Sequence, residues 1–235
     1  MVFVPELNAS LEDQRTLFGP MFIGSNQVDP GYGASLEKSL LNALLLVCAA
    51  PFGIFLILTI MAILWLFDGG PIFFGHDRIG KDGRRFKCLK FRTMVPDAEQ
   101  RLQAVLDHDD DLRQEWEHTR KLSVDPRLSR FGAFMRKSSL DELPQLFNVM
   151  RGEMTLIGPR PVVAEELELY GRYAAHYKSV RPGITGLWQI SGRSNLAYRR
   201  RIAMDVLYVK NASLLTDLAI LIKTPLIVLT TRGAV

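Results

Sequence analysis

The sequence predicts an α+β fold: a mainly helical domain with a small β-hairpin, anchored by an apolar N-terminal membrane helix and by C-terminal helix lying in the membrane interface. Three observations predict it. From Ser39 to Phe67 no residue is charged, which exceeds the roughly 20 apolar residues that a bilayer-spanning helix needs. Two short aromatic-rich runs, Ile72-Phe73-Phe74 and Phe86 to Arg92, flank an Asp82-Gly83 dipeptide, the signal of a hairpin. Beyond them, apolar residues recur mainly at helical spacing.

The 235 residues suffice for one substantial domain with accessories, and they divide into three parts. Residues 1–35 mix Gly, Pro, Asn and Asp without a sustained period and read as a mobile tail. Residues 36–67 form the membrane segment, and 68–235 the remaining domain. The apolar segment is longer than a buried core helix requires, and it starts too late and without a basic leader to read as a cleaved signal peptide. Pro51 and Gly53 sit near its middle. Proline removes a backbone donor and kinks a helix, so a kinked span and a re-entrant hairpin both stay open.

After the hairpin, Pro96 and Asp97 open a polar helix reaching to about Lys121, with Leu102, Val105, Leu106, Leu112 and Trp116 as its apolar stripe. Asp125-Pro126-Arg127 reads as a turn. Leu143, Leu146, Phe147 and Met150 follow the spacing of a buried helix face, and Gly152 ends that helix. Glu165 to Tyr177 reads as one helix, Arg181 to Asn195 as a Gly-rich loop around Trp188, and Arg199 to Lys210 as another helix. Leu214 to Thr231 is apolar but carries Asp217, Lys223 and Pro225, which argues for a helix in the interface over a second span.

Charge is unevenly placed. Up to Phe67 the chain carries only Arg15 and Lys38 as basic residues, which leaves 27 of the 29 basic and 20 of the 25 acidic residues beyond it. A basic flank such as Lys81 to Lys90 favours the cytoplasmic side, and the excess suits anionic headgroups and phosphorylated ligands. No nucleic-acid motif accompanies the charge, so nucleic acid is not an expected partner. Cys48 and Cys88 are too few for a metal cluster and read as packing residues. The four His residues lack ligand spacing, and no Walker or Rossmann glycine motif is present.

The richest stretch for chemistry runs from Lys137 to Pro161. Ser139-Leu140-Asp141-Glu142 fits a capping box, a purely structural role for the acidic pair. The same pair can work instead on phosphate: a helix N-terminus preceded by Arg136 and Lys137 attracts anions. Asp141 could then attack phosphorus while Glu142 holds a divalent cation. Adjacent helical residues point about 100° apart, so the two do not form a glycosidase pair facing across a sugar. Pro159 and Pro161 lock the backbone around Arg160, either as an ordinary turn after a strand or to aim a guanidinium at phosphate.

Taken together, the chain resembles the bacterial sugar transferases, the monotopic phosphoglycosyl transferases that start exopolysaccharide and other surface-glycan synthesis. The resemblance covers about Lys38 to Arg232 and rests on several blocks in order. These are Asp77-Arg78-Ile79-Gly80, Lys90-Phe91-Arg92-Thr93-Met94, Asp125-Pro126-Arg127 and Ser139 to Asn148, followed by Gly158 to Pro161, Arg181 to Gly186 and Asp205 to Tyr208.

The resemblance implies transfer of a sugar-1-phosphate (galactose or glucose) from a UDP-sugar to undecaprenyl phosphate, with release of UMP. By the same resemblance Asp141 carries the phosphosugar, Glu142 assists through Mg²⁺, and Asp205 is a weaker candidate near the metal. Arg136 and Arg160 match phosphate-contacting arginines, and Arg78, Lys90, Arg92 and Arg181 join them as substrate-binding residues within matching blocks. The family's re-entrant helix breaks at a proline, here Pro51, which places both helix ends on the cytoplasmic face of the bacterial inner membrane. Ala50 stands before it where the family often has Ser, and residues 1–35 exceed the minimal members. The extra membrane bundle of larger members is not expected. The loop around Trp188 is expected near the nucleotide sugar. A homodimer is compatible with the sequence, which holds no direct sign of one. Two other readings stand beside this one: a glycosyltransferase that moves the sugar alone and releases UDP, and a non-catalytic membrane partner of a polysaccharide assembly complex. Telling galactose from glucose needs a well-placed hydrogen bond, which the sequence does not locate.

Overall fold

The computed structural model describes residues 31–32, 35–119, 122, 125–192 and 196–229. Its helices are α1 (Leu36–Ile63), α2 (Ala98–His108), α3 (Asp110–Thr119), α4 (Arg130–Ser138), α5 (Gln145–Met150), α6 (Ala164–Glu168), α7 (Ala174–Lys178), α8 (Tyr198–Lys210) and α9 (Leu214–Leu229). Four strands lie between them: β1 (Phe73–Ile79), β2 (Arg85–Phe91), β3 (Thr155–Ile157) and β4 (Gly183–Thr185). The expected hairpin is β1–β2, antiparallel from Phe73 opposite Phe91 to Ile79 opposite Arg85. Asp82 and Gly83 turn it in the left-handed region, at φ 58° and 76°, a conformation that Asp and Gly tolerate better than most residues.

Ser35 starts α1 by accepting a hydrogen bond from the Lys38 amide at 3.1 Å. The helix runs 28 residues, about 42 Å at 1.5 Å per residue, and passes into a wider turn at Leu64–Asp68. One side is docked on the domain from end to end. Lys38 is buried against Asp217, Asn42 Oδ1 accepts from the Leu156 amide at 2.9 Å, and Leu46 packs on Phe86, Cys88 and Met154. Gly53 faces the Leu146 side chain, and Ile57, Ile60 and Leu64 pack with Phe91 and Met135. These positions recur every three to four residues, one face of a helix. Leu40, Leu44, Val47, Phe52, Phe55 and Leu58 are exposed, a stripe that water disfavours and a bilayer accepts. The segment Leu36–Asp68 is long and apolar enough to cross a membrane, and it marks the chain as membrane-associated.

Several expectations are corrected. The expected break at Pro51 is not a change of secondary structure, because α1 continues through it; the proline removes one donor, and a helix with helical residues on both sides tolerates that loss. The polar helix expected from Pro96 to about Lys121 is two helices. Asp109 is extended between them, and its Oδ1 accepts from the amides of Asp111 and Leu112, capping α3; Lys121 lies outside the described residues. The helix expected from Glu165 to Tyr177 is interrupted where Gly171 takes φ 48°. The Gly-rich segment expected as a loop contains β4, parallel to β3, and a helical turn at Trp188–Ile190. This pairing needs glycine: a Cβ on Gly183 would overlap the Gly158 backbone. Asp217, expected as an interfacial charge of the last helix, is 1% exposed and held by Lys38 at 3.2 Å. Of the expected 1–35 tail, Gly31, Tyr32 and Ser35 are described, and Tyr32 is buried with its hydroxyl on Asp217 Oδ2 at 3.0 Å.

Candidate active site

Asp141 and Glu142 sit on a single helical turn, Leu140–Glu142, wedged between α4 and α5. Ser139 enters that turn with φ 58°, a left-handed conformation uncommon outside glycine. The capping box does not form. The Ser139 amide donates to the Arg136 carbonyl, and the Glu142 side chain turns the other way. There Lys90 Nζ, from the end of β2, stands 2.7 Å from Glu142 Oε1 and 3.4 Å from Asp141 Oδ2. Arg160, on the proline-locked turn after β3, reaches the same Glu142 oxygen at 3.4 Å. Arg136 Nε donates to Thr93 Oγ1 at 3.0 Å. This contact requires α4 to lie hard against the chain after β2; a Cβ on Gly132 would overlap the Thr93 backbone.

These residues line a cavity of about 1040 Å³. Lys90, Arg92, Arg136 and Arg160 supply positive charge to its wall, while Phe74, Leu143, Leu146, Leu221, Ile227 and Val228 supply apolar surface. One chamber therefore offers both phosphate-binding and hydrocarbon-binding walls, next to the docked face of α1. Trp188 also lines it, as the expectation for its loop requires, with Arg160 at 5.9 Å and Arg201 at 5.0 Å from the ring centre.

The two carboxyls are driven apart electrostatically. Burial pushes the Asp141 carboxyl up, with the charge of Glu142 adding to it and Lys90 and Arg136 opposing. Burial also raises Glu142, but Lys90 and Arg160 overcome it and hold this carboxyl at about 2. Glu142 is thus a fixed anion, and Asp141 is the more basic oxygen nucleophile of the pair.

The remaining sequence candidates lie elsewhere. Arg78 pairs with Glu166 at 3.3 Å, and Arg181 is not among the cavity residues. Arg92 lines the cavity while its Nη2 donates to the Asp68 and Gly69 carbonyls at the end of the membrane helix. Asp205 lines a separate small cavity behind Arg160, accepting from Tyr170 Oη at 2.7 Å. Burial pushes its carboxyl up to about 8 against that hydrogen bond and Arg160. Among the described residues no three His, Cys, Asp or Glu side chains gather as a metal site. Mg²⁺ is commonly held by one or two carboxylates together with substrate phosphates, and the ionised Glu142 beside Asp141 on a cavity wall fits that arrangement. Sequence reasoning missed Thr93 and Arg201, whose roles appear only when distant segments meet.

A buried acid pair among four cations, in a half-apolar cavity beside a membrane helix, defines a membrane-associated site for a phosphorylated ligand. The sequence model of the bacterial sugar transferases matches residues 34–231, and the chain belongs to that family. Over 179 residues it is 52% identical to the exopolysaccharide production protein ExoY of Rhizobium meliloti, covering 76% of this chain and 79% of that protein. Over 167 residues it is 50% identical to the undecaprenyl-phosphate galactose phosphotransferase of Salmonella typhimurium, covering 71% and 35%. It is 38% identical over 174 residues to the UDP-glucose:undecaprenyl-phosphate glucose-1-phosphate transferase of Xanthomonas campestris, covering 70% and 33%. The chain spans about a third of the length of the latter two relatives.

Proposed function

We propose that this protein moves galactose-1-phosphate or glucose-1-phosphate from a UDP-sugar to undecaprenyl phosphate, releases UMP, and so initiates exopolysaccharide synthesis. The observation that carries the reading is Asp141: a buried carboxylate made more basic by its surroundings, open to a cavity with four cations and an apolar wall. In the first step an Asp141 oxygen attacks the phosphorus bearing the sugar. The new O–P bond forms as the bond to the UMP oxygen breaks, and UMP leaves with that electron pair. In the second step an oxygen of undecaprenyl phosphate attacks the same phosphorus, which yields the lipid-linked diphosphate sugar and regenerates the Asp141 carboxylate. Lys90, Arg136 and Arg160 neutralise charge on the phosphoryl oxygens, and Glu142 keeps Lys90 and Arg160 aimed at the reacting centre. A magnesium ion held by Glu142 and the donor diphosphate would supply further charge neutralisation.

The docking of both ends of α1 on one domain supports the re-entrant topology, with both ends on the cytoplasmic face of the inner membrane. A straight span would carry one end roughly 30 Å away across the hydrocarbon. The test is the nucleotide released when detergent-purified protein, Mg²⁺ and undecaprenyl phosphate meet a panel of UDP-sugars. UMP with one sugar supports the reading, whereas UDP would mean transfer of the sugar alone.

A further inference from the structure

Gln189 lines the active-site cavity beside Trp188, Thr185 and Thr224. Its Nε2 donates to the Ile184 carbonyl at 2.9 Å. A carbonyl oxygen only accepts, so this bond fixes which way the amide faces: flipping it would set two acceptors against each other. The other end of the amide, Oε1, is a buried acceptor that no donor of the protein reaches among the described residues. A buried amide oxygen without a donor costs about 1–3 kcal/mol, and such exceptions call for a reason. The structure leaves room at this place by design of its sequence, since Gly186 has no Cβ to crowd Oε1, and one would stand only 3.2 Å from it.

The position joins this acceptor to the reacting groups. Asp141 neighbours Glu142, Glu142 accepts from Arg160, and Arg160 lies over Trp188, the residue next to Gln189. The cations of the cavity meet phosphate, which offers acceptors and has no use for another acceptor. A fixed amide oxygen requires an N–H or O–H on the ligand.

Resting on the reading of the cavity as a UDP-sugar site, we propose that Gln189 Oε1 is a specificity-determining acceptor for a hydrogen-bond donor of the nucleotide sugar. That donor is either a sugar hydroxyl or the uracil N3–H, the two classes of donor that a UDP-sugar can present at a distance from its phosphates. Recognition through a buried polar group of this kind discriminates strongly, because an analogue lacking the hydrogen leaves the amide unpaired.

The experiment is a cycle between protein and donor. UMP release is measured for the wild type and for Gln189→Met with the sugar donor that the wild type uses, its singly deoxygenated analogues and its N3-methyluridine analogue. The wild type is expected to lose about tenfold or more in kcat/KM on one analogue, and Gln189→Met to show little further loss on that same analogue. A penalty confined to a deoxy sugar assigns the sugar hydroxyl, and one confined to the N3-methyl donor assigns the base. General damage lowers all donors equally and leaves the ratios unmoved; unmoved ratios, or no penalty in the wild type, overturn the proposal. Should Gln189→Met fail to fold, Gln189→Glu keeps an acceptor at the same reach and must keep the penalty, and its loss there overturns the proposal as well. Absence of UMP release from the wild type with every UDP-sugar would instead strike at the cavity reading itself.

Discussion

Two buried ionic clusters stand at opposite ends of α1, and they are built to different ends. In the first, Lys38 and Asp217 are 2% and 1% exposed, and Tyr32 and Tyr208 complete their hydrogen bonds. Tyr208 Oη also reaches the Ile157 carbonyl at the end of β3. Charge and hydroxyls satisfy one another there, and the cluster pins the start of the membrane helix to α8, α9 and β3. In the second, Lys90, Asp141, Glu142 and Arg160 form the wall of a cavity, with Lys90 26% and Arg160 36% exposed at the side chain. Its contacts are longer and shared, and burial works against Asp141. A sealed, closed network makes architecture; an open one, left incomplete at a cavity, is available for chemistry.

This contrast predicts opposite consequences of substitution. The largest effect is on turnover. Asp141→Asn should lower UMP release by at least about 10³-fold while the melting temperature is unchanged or higher, because an unfavourably buried carboxylate is gone. An active Asp141→Asn would remove the assignment. In the sealed cluster, Lys38→Met leaves Asp217 buried and unpaired and should destabilise the protein by about 3–5 kcal/mol. Adding Asp217→Leu should restore much of that loss, and failure of the double variant to recover in a denaturant titration would mean that the cluster does more than bury a pair.

A smaller effect separates the roles within the open cluster. Glu142 has its carboxyl lowered to about 2, so its anionic contribution is complete above the ordinary value of 4.5 and is lost as pH falls toward 2. Lys90→Gln should move that loss to higher pH, read as an upward shift of the acid limb of the kcat/KM profile. An unmoved limb would show that Lys90 does not hold Glu142. The smallest effect belongs to Asp205, whose carboxyl is raised to about 8. A raised carboxyl is a cost that begins above its ordinary value of 3.8 and grows until about 8, so Asp205→Asn should gain melting temperature over the wild type as pH rises from 5 to 8. A gap independent of pH would contradict that origin.

Much of the open cluster was legible because its parts are local. Asp141 and Glu142 adjoin in sequence, Arg136 precedes them by a few residues, and paired prolines mark Arg160. Lys90 and Arg92 stood out in one basic-aromatic run that also forms β2. The sealed cluster was not legible. Lys38 and Asp217 pair across nearly the whole chain, and each alone reads as a flank or a surface charge. The parallel β3–β4 contact escaped for a similar reason: three residues in a Gly-rich run carry no alternation, and the pairing depends on close approach of Gly158 and Gly183. The break at Asp109 had a signal, a run of three aspartates at the start of α3, whose capping role was overridden by the apolar stripe. Gln189 carried none, since an unpaired amide oxygen exists only once Ile184 has taken the other end.

The most direct test is to trap the intermediate. The purified protein is mixed with the UDP-sugar it uses and Mg²⁺, without undecaprenyl phosphate, quenched, digested and weighed by mass spectrometry. A peptide containing Asp141 heavier by one sugar phosphate, absent from Asp141→Asn and discharged when the lipid carrier is added, is the predicted result. Rapid transfer to the carrier with no adduct at Asp141 at any time, or an equal adduct in Asp141→Asn, would contradict the account.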